Sequence, residues 1–343
     1  VIINGAMNVA QRSTSETGVG GSDGYFTCDR WKFAQATNAG RLTMTQDSSA
    51  PSGFANSLKL ACTTTDTSIA ATEAGLIQHI IEGQNLQAFA KGTADAKPFV
   101  LSFYVKGNAS ATYTAELYDN DNSRSNGQTF SVTTDWTRVE LTYPADTTGA
   151  FDDDNAASLY FNIWLHVGTN WTGGTFTNGT WTAVSNNNQR VGDGSSFFDS
   201  TSRTFFITGV QLEVGQNPTE FEHRSFGQEL ALCERYCQTV VAGIEAIGIG
   251  MAYSTGSVNC IVDLTTEMRT TPTISQTSGT DYYSIEANGG RDNLSDFSSG
   301  FHSRTWKRRL VLHAQTGVSQ TAGHASQCEG YNANALILAL SEL

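Results

Sequence analysis

The sequence predicts an all-β protein: one β-sandwich over residues 1–224, a linking helix over 225–242 and a smaller β-domain over 243–343. Three observations predict it. The apolar residues fall in short runs that alternate with polar ones, the period of half-buried antiparallel strands. Only 15% of the 343 residues are charged and 33 are glycine, which suits many short strands joined by tight turns. One segment alone carries a helical period, with Leu230, Cys233, Cys237 and Val241 at i, i+3, i+7 and i+11. The length is enough for two separate cores.

In the first half, strands are expected at 31–34, 57–61, 99–106, 112–118, 138–143, 158–166 and 203–213, with a strand followed by a helical turn over 75–89. PFVLSFYVKG is more continuously apolar and suits a central strand. In FFITGVQLEV, Phe205, Ile207, Val210, Leu212 and Val214 are the apolar positions, and Gly209 interrupts the alternation. Between strands lies a tract rich in Gly, Asn and Thr at 168–194, with too little apolar surface for a core of its own, so it is a long excursion from the sandwich edge. Ser225 suits an N-cap, and Glu229 sits in the first turn where its charge matches the helix dipole. Beyond the helix, strands are expected at 244–254, 258–264, 273–276, 282–286, 308–314 and 335–341. No fixed repeat joins the halves and no heptads support a coiled-coil shaft.

The formal net charge of −13 argues against a broad phosphate-neutralising surface, so no nucleic-acid partner is expected. Lys307, Arg308 and Arg309 beside Trp306 read as an exposed face or a subunit contact. No apolar run is long enough to insert in a membrane, and no signal peptide is visible. Cys28, Cys62, Cys233, Cys237, Cys260 and Cys328 match neither a zinc motif nor a dense disulfide framework. Cys233 and Cys237 read as buried thiols; a Cys28–Cys62 disulfide is open, and assembly in a reducing cytoplasm would leave both reduced.

The sequence offers no catalytic constellation. Asp119 and Asp121, and Asp152 with Asp154, supply clustered carboxylates, but both groups lie in hydrophilic turns without the apolar setting that raises a glycosidase acid. They are solvated loop acids, with a structural calcium the one cofactor left open. The histidines show no metal-protease spacing, and there is no nucleophile elbow or phosphate loop. Sugar binding is the better active reading, because aromatic faces stack on pyranose C–H groups while amides take the hydroxyls. Trp171 and Trp181 with Asn170, Asn178, Asn186, Asn187 and Asn188 offer both in one excursion. The competing reading tucks each indole back as a staple for its loop. Trp31, Trp136 and Trp164, beside strand patterns, are expected in the core.

Three stretches carry a family resemblance. TGVQLEVGQNPTEFEHRSFGQELALCERY, the opening IINGAMNVAQR with Asp29-Arg30-Trp31, and EMRTTPTI with the terminal ALSEL resemble modules of bacteriophage tail-fibre and virion-appendage proteins. Asp135-Trp136 before RVELTY is similar to a turn-strand element of carbohydrate-binding-module-like jelly rolls. The resemblance implies a jelly roll as the first domain leading into a C-terminal β-domain, which the strand patterns after 243 make a second small β-sandwich. It places Glu222, His223 and Arg224 as structural polar contacts at the junction. It also implies a non-enzymatic virion protein, most simply a tail fibre recognising a host-surface glycan, homotrimeric and anchored to other virion proteins. A capsid or tail decoration (cement) protein and a polysaccharide-degrading tail spike are its rivals, the latter weakened by missing β-helix repeats.

Overall fold

The computed structural model describes residues 1–184, 189–297 and 305–343, and the chain divides into two compact units, Val1–Glu229 with Leu343, and Leu230–Glu342. The first unit holds β1 (Ser15–Val19), β2 (Gly24–Tyr25), β3 (Lys32–Ala36), β4 (Arg41–Asp47), β5 (Ser57–Thr64), β6 (Ala74–Glu82) and β7 (Phe99–Gly107). It continues with β8 (Ala111–Asp119), β9 (Arg124–Val132), β10 (Thr137–Tyr143), β11 (Ala157–Val167), the single turn α1 (Thr169–Thr172), β12 (Thr182–Ala183) and β13 (Thr204–Val214). They form two antiparallel sheets, β1-β4-β5-β13-β7-β10 and β12-β9-β8-β11-β6-β3-β2.

The inward residues of the two sheets make one core. Leu58, Leu60, Leu101, Phe103, Val105, Phe205 and Ile207 come from the first sheet, and Phe33, Ile77, Ala115, Leu117, Phe161 and Ile163 from the second. This is the alternation expected of a sandwich, in which each strand sends every second side chain inward. Gly209 does what its place in the sequence suggests. Its φ is +63°, the β13–β7 register shifts there, and a Cβ would lie 2.7 Å from the Phe54 ring.

The helix α2 covers Phe226–Glu234 and is shorter than the expected 225–242. From Cys237 the chain is a strand, because Thr239, Val240 and Val241 are β-branched and the segment pairs with the C-terminal strand. Cys237 and Val241 are therefore buried from β14 (Cys237–Ala242), and do not continue a helical stripe. The second unit continues with β15 (Glu245–Ser254), β16 (Ser257–Asp263), β17 (Thr273–Gln276), β18 (Tyr283–Ala287), β19 (Gly290–Leu294), β20 (Arg309–Ala314), β21 (Ala325–Gly330) and β22 (Leu336–Leu340). Its sheets are β19-β18-β21-β15-β16-β20 and β14-β22-β17, around Val241, Ile247, Val258, Cys260, Ile285, Leu312, Cys328 and Ile337. The whole is all-β, as the alternation predicts. All six cysteines are buried and none forms a disulfide, so Cys28 and Cys62 are not bridged.

Candidate functional site

The outward face of the seven-stranded sheet follows from register. Trp164 of β11 lies opposite Leu76 of β6 and Thr114 of β8, and Leu76 opposite Ala34 of β3. One row along, Asn162 faces Gln78 and Glu116, and in the next Tyr160 faces Tyr118. A largely apolar row containing Trp164, a polar row and an aromatic pair thus run across the sheet. Of these, Ala34, Leu76, Gln78, Tyr118, Tyr160, Asn162 and Trp164 line a cleft of about 210 Å³ together with Trp171 and Arg190 from the 168–194 excursion. Trp171 packs on Trp164 with ring centroids 5.9 Å apart, and the Arg190 guanidinium lies 4.2 Å from the Tyr118 ring and 5.3 Å from that of Trp164.

Beneath the aromatic residues is one fully buried carboxylate, Glu116. It accepts five hydrogen bonds: from Arg190 Nε at 2.6 Å and Nη2 at 2.9 Å, Ser125 Oγ at 2.6 Å, Asn162 Nδ2 at 2.9 Å and Trp164 Nε1 at 2.8 Å. Burial on its own would raise this carboxyl, but the Arg190 charge and these donors outweigh it and hold it below its ordinary value. Glu116 stays ionised and orients the cleft: it fixes the Asn162 amide, the Trp164 indole and the guanidinium that stacks on Tyr118.

The excursion reaches this face because it is fastened to it. Val191 is buried beside Trp164, β12 pairs with β9, and Gly179 N donates to Gly127 O. Gly127 permits the close approach, since a Cβ there would lie 2.6 Å from Arg190 O.

The expected sugar ligands separate on this frame. Trp171 is half-buried and lines the cleft. Trp181 corrects the expectation: at 8% exposure it belongs to the sandwich core, packs on Phe99 at 5.8 Å and donates from Nε1 to Pro144 O at 2.9 Å. It is a staple, because a polar tract without a core must borrow one. Asn178 is likewise structural, its Oδ1 accepting from Thr129 N at 2.9 Å on the edge of β9. Asn170 is exposed on α1, and Asn187, with Asn186 and Asn188, lies outside the described residues. Trp31 is in the core as expected, with Nε1 donating to Asn4 O at 3.0 Å, and Trp136 is half-buried against Phe206. Trp164 is buried on the opposite face from the one expected, as part of the cleft.

Sequence reasoning missed Tyr118, Tyr160, Asn162, Gln78 and Arg190. A signal was present in the strand periods. In LYFNIWL, Leu159, Phe161 and Ile163 turn inward, which leaves Tyr160, Asn162 and Trp164 in a line on the other face. Which strands bring their own rows beside it depends on pairing that no local pattern encodes.

The acidic turns do not form a shared calcium site. The Asp119 carboxylate is buried, meeting Lys91 Nζ at 2.5 Å and Asn122 Nδ2 at 3.0 Å. The same ammonium lies 3.2 Å from Asp146 and donates to the carbonyls of Thr148 and Gly149, each at 2.8 Å. Lys91 thus fills a cage of oxygens that would otherwise suit a hard cation. Asp121 accepts from Asp152 N at 3.0 Å, and Asp154 from Ala156 N at 2.8 Å, so those carboxylates shape their turns. At the junction Arg224 pairs with Glu229 at 3.3 Å, while His223 packs on Phe54 and Phe221.

No protein-family model matches the chain, and no curated protein matches it. Among solved structures, it is similar to a CBM4 module at 14% identity and TM-score 0.32, over 63% of this chain and 100% of that one. The family 11 carbohydrate-binding module of a Clostridium thermocellum cellulosomal cellulase gives 12% identity and TM-score 0.28, over 61% and 100%. The enzymatically active domain of tailspike protein 4 from bacteriophage CBA120 gives 13% identity and TM-score 0.28, over 54% of this chain and 19% of that one. The chain therefore spans about a fifth of that tailspike's length.

Proposed function

We propose that the chain is a non-enzymatic glycan-binding protein and that the outward face of its seven-stranded sheet is the binding surface. One observation carries the reading: Tyr118, Tyr160 and Trp171 present partly exposed rings beside the fixed amides of Asn162 and Gln78. Rings of this kind stack on the apolar faces of sugars, and amides supply both donors and acceptors for hydroxyls. Both components are held in advance, so little ordering opposes binding.

Binding without turnover fits the lining better than hydrolysis does. Glycoside hydrolysis needs two carboxyls with divergent proton affinities flanking the bond. Among the described lining residues there is no carboxyl, and Glu116 beneath them is saturated with donors. The test is a glycan array probed with the full chain, followed by sizing of any polysaccharide it retains. Retention without shortening supports the proposal; a falling polymer length would establish the tail-spike alternative.

The finer reading is a phage appendage, supported by the sequence motifs, in which several copies present weak sites to a host-surface glycan together. Self-association is supported by the second unit. On its six-stranded sheet Ile249 and Ile261 lie directly opposite one another and are exposed, with Met251 and Tyr253 further along β15. Such an aliphatic strip on a sheet face suits a second copy of the chain better than water. A decoration protein would use the same strip without a cleft that binds sugar, so the array separates the two.

A further inference from the structure

At one end of the sandwich three buried ligand-type side chains converge. Asp66 follows β5, Glu73 immediately precedes β6 and His166 is the penultimate residue of β11. His166 Nε2 lies 3.7 Å from Asp66 Oδ2 and 3.7 Å from Glu73 Oε2, beyond hydrogen-bond reach of either. All three donor atoms lie within 4.8 Å of one another. The imidazole is 0% exposed and its Nε2 has no hydrogen-bond partner.

The rest of the cluster is arranged as a ligand set would be. His166 Nδ1 is 2.8 Å from Ser196 Oγ; when it donates there, Nε2 is left with its lone pair directed between the carboxylates. The Phe198 ring packs edge-on against the imidazole at 5.2 Å and holds its plane. Asp66 Oδ2 accepts from Ala39 N at 3.2 Å and Glu73 Oε2 from Ala70 N at 2.8 Å, which fixes both carboxylates. Among the described residues, His166 is the one ion-pair partner recorded for either acid. With His166 neutral, a cation between the two buried carboxylates and the unpartnered Nε2 would satisfy all three.

We propose that Asp66, Glu73 and His166 form a metal site for a borderline divalent cation of the zinc type. One imidazole and two carboxylates, with no thiolate, are a ligand set that zinc accepts and that calcium, which prefers oxygen alone, does not favour. Tetrahedral zinc at ordinary bond lengths separates its donors by about 3.4 Å, so the 3.7 Å spacings close with small side-chain shifts. The site lies where the excursion leaves and rejoins the sandwich. Gly168 N donates to Glu73 O at 2.8 Å, and Ser196 stands at the returning end. A bound ion therefore fastens both ends of the segment that carries Trp171 and Arg190.

The experiment strips the full chain with a chelator, titrates ZnCl₂ by calorimetry and counts retained metal by mass spectrometry, for wild type, Glu73→Gln and His166→Gln. The expected result is one zinc per wild-type chain, a rise in Tm with zinc, and stoichiometry near zero in both variants. Glu73→Gln keeps the size of the side chain, and its circular dichroism checks that the sandwich still forms. No binding by wild type, binding that persists in both variants, or a preference for CaCl₂ indifferent to His166→Gln would each overturn the assignment.

Discussion

Two of the large sheets, the seven-stranded one of the first unit and the six-stranded one of the second, are built by the same alternation and finish differently on their outer faces. On the seven-stranded sheet of the first unit, the outward residues are rings and amides braced by a buried ion pair between Glu116 and Arg190. On the six-stranded sheet of the second unit they are Ile249, Met251, Tyr253 and Ile261, 50–75% exposed. A fixed polar frame specifies orientation, as a small polar ligand requires; an aliphatic strip specifies only burial, which a protein partner supplies. Exposed apolar surface takes its meaning from what lies beneath it.

The largest expected effect comes from breaking the frame. Glu116→Ala leaves the Arg190 guanidinium, the Asn162 amide and the Trp164 indole without their acceptor, and should cost about 3–5 kcal/mol in denaturant unfolding. Ile261→Ala on the other face should stay within about 0.5 kcal/mol in the same measurement on the monomer. Equal losses at the two positions would remove the distinction between the faces.

Next come the two tryptophans of the excursion. Trp181→Ala empties a core position and should destabilise by about 3–5 kcal/mol, while Trp171→Ala should leave Tm nearly unchanged. On any retained glycan the order reverses at the cleft: Trp171→Ala should weaken binding about tenfold or more, on the order of 1.4 kcal/mol.

Charge on the aliphatic strip sharpens the other side of the comparison. Ile249→Glu with Ile261→Glu should shift sedimentation toward the single chain and leave the cleft's intrinsic affinity alone, so that only multivalent binding falls. An unchanged assembly state would send the search for the subunit contact elsewhere.

The smallest effect is a pH dependence. Because the folded-state pKa of Glu116 is depressed, its stabilisation is complete above the unfolded glutamate value of about 4.3 and is lost as pH falls through the lower folded value. The stability gap between wild type and Glu116→Gln should therefore hold steady near neutrality and shrink on acidification. A gap that widened in acid would mean that the carboxyl binds its proton more readily when folded.

Much of this architecture was legible, because a strand with one face in a core announces itself by period. The stretch 99–106 differs from the observed strand by one residue at its end, and 112–118 and 158–166 by one residue at each end. Arg41–Asp47 went unseen although Leu42 and Met44 are buried, since threonines and glutamine surround them. Arg124–Val132 and Ala325–Gly330 are polar enough to read as loop, and their neighbours in the sheet supply what their side chains do not. The helix was overextended because Cys237 and Val241 satisfy a helical spacing and a strand alike. At the site, the excursion and Trp171 were visible from composition, whereas Tyr118, Asn162 and Glu116 gather only through cross-strand register.

The central claim is that the outward face of the seven-stranded sheet binds sugar. The most direct measurement is a titration of the best array-selected oligosaccharide against wild type, Trp171→Ala and the Tyr118→Ala/Tyr160→Ala pair, with the unfolding curve of each chain recorded alongside. The account predicts saturable binding by wild type, a loss of tenfold or more in each cleft variant, and preserved unfolding curves. Equal affinity across the three folded chains would contradict it and place the sugar elsewhere on the molecule.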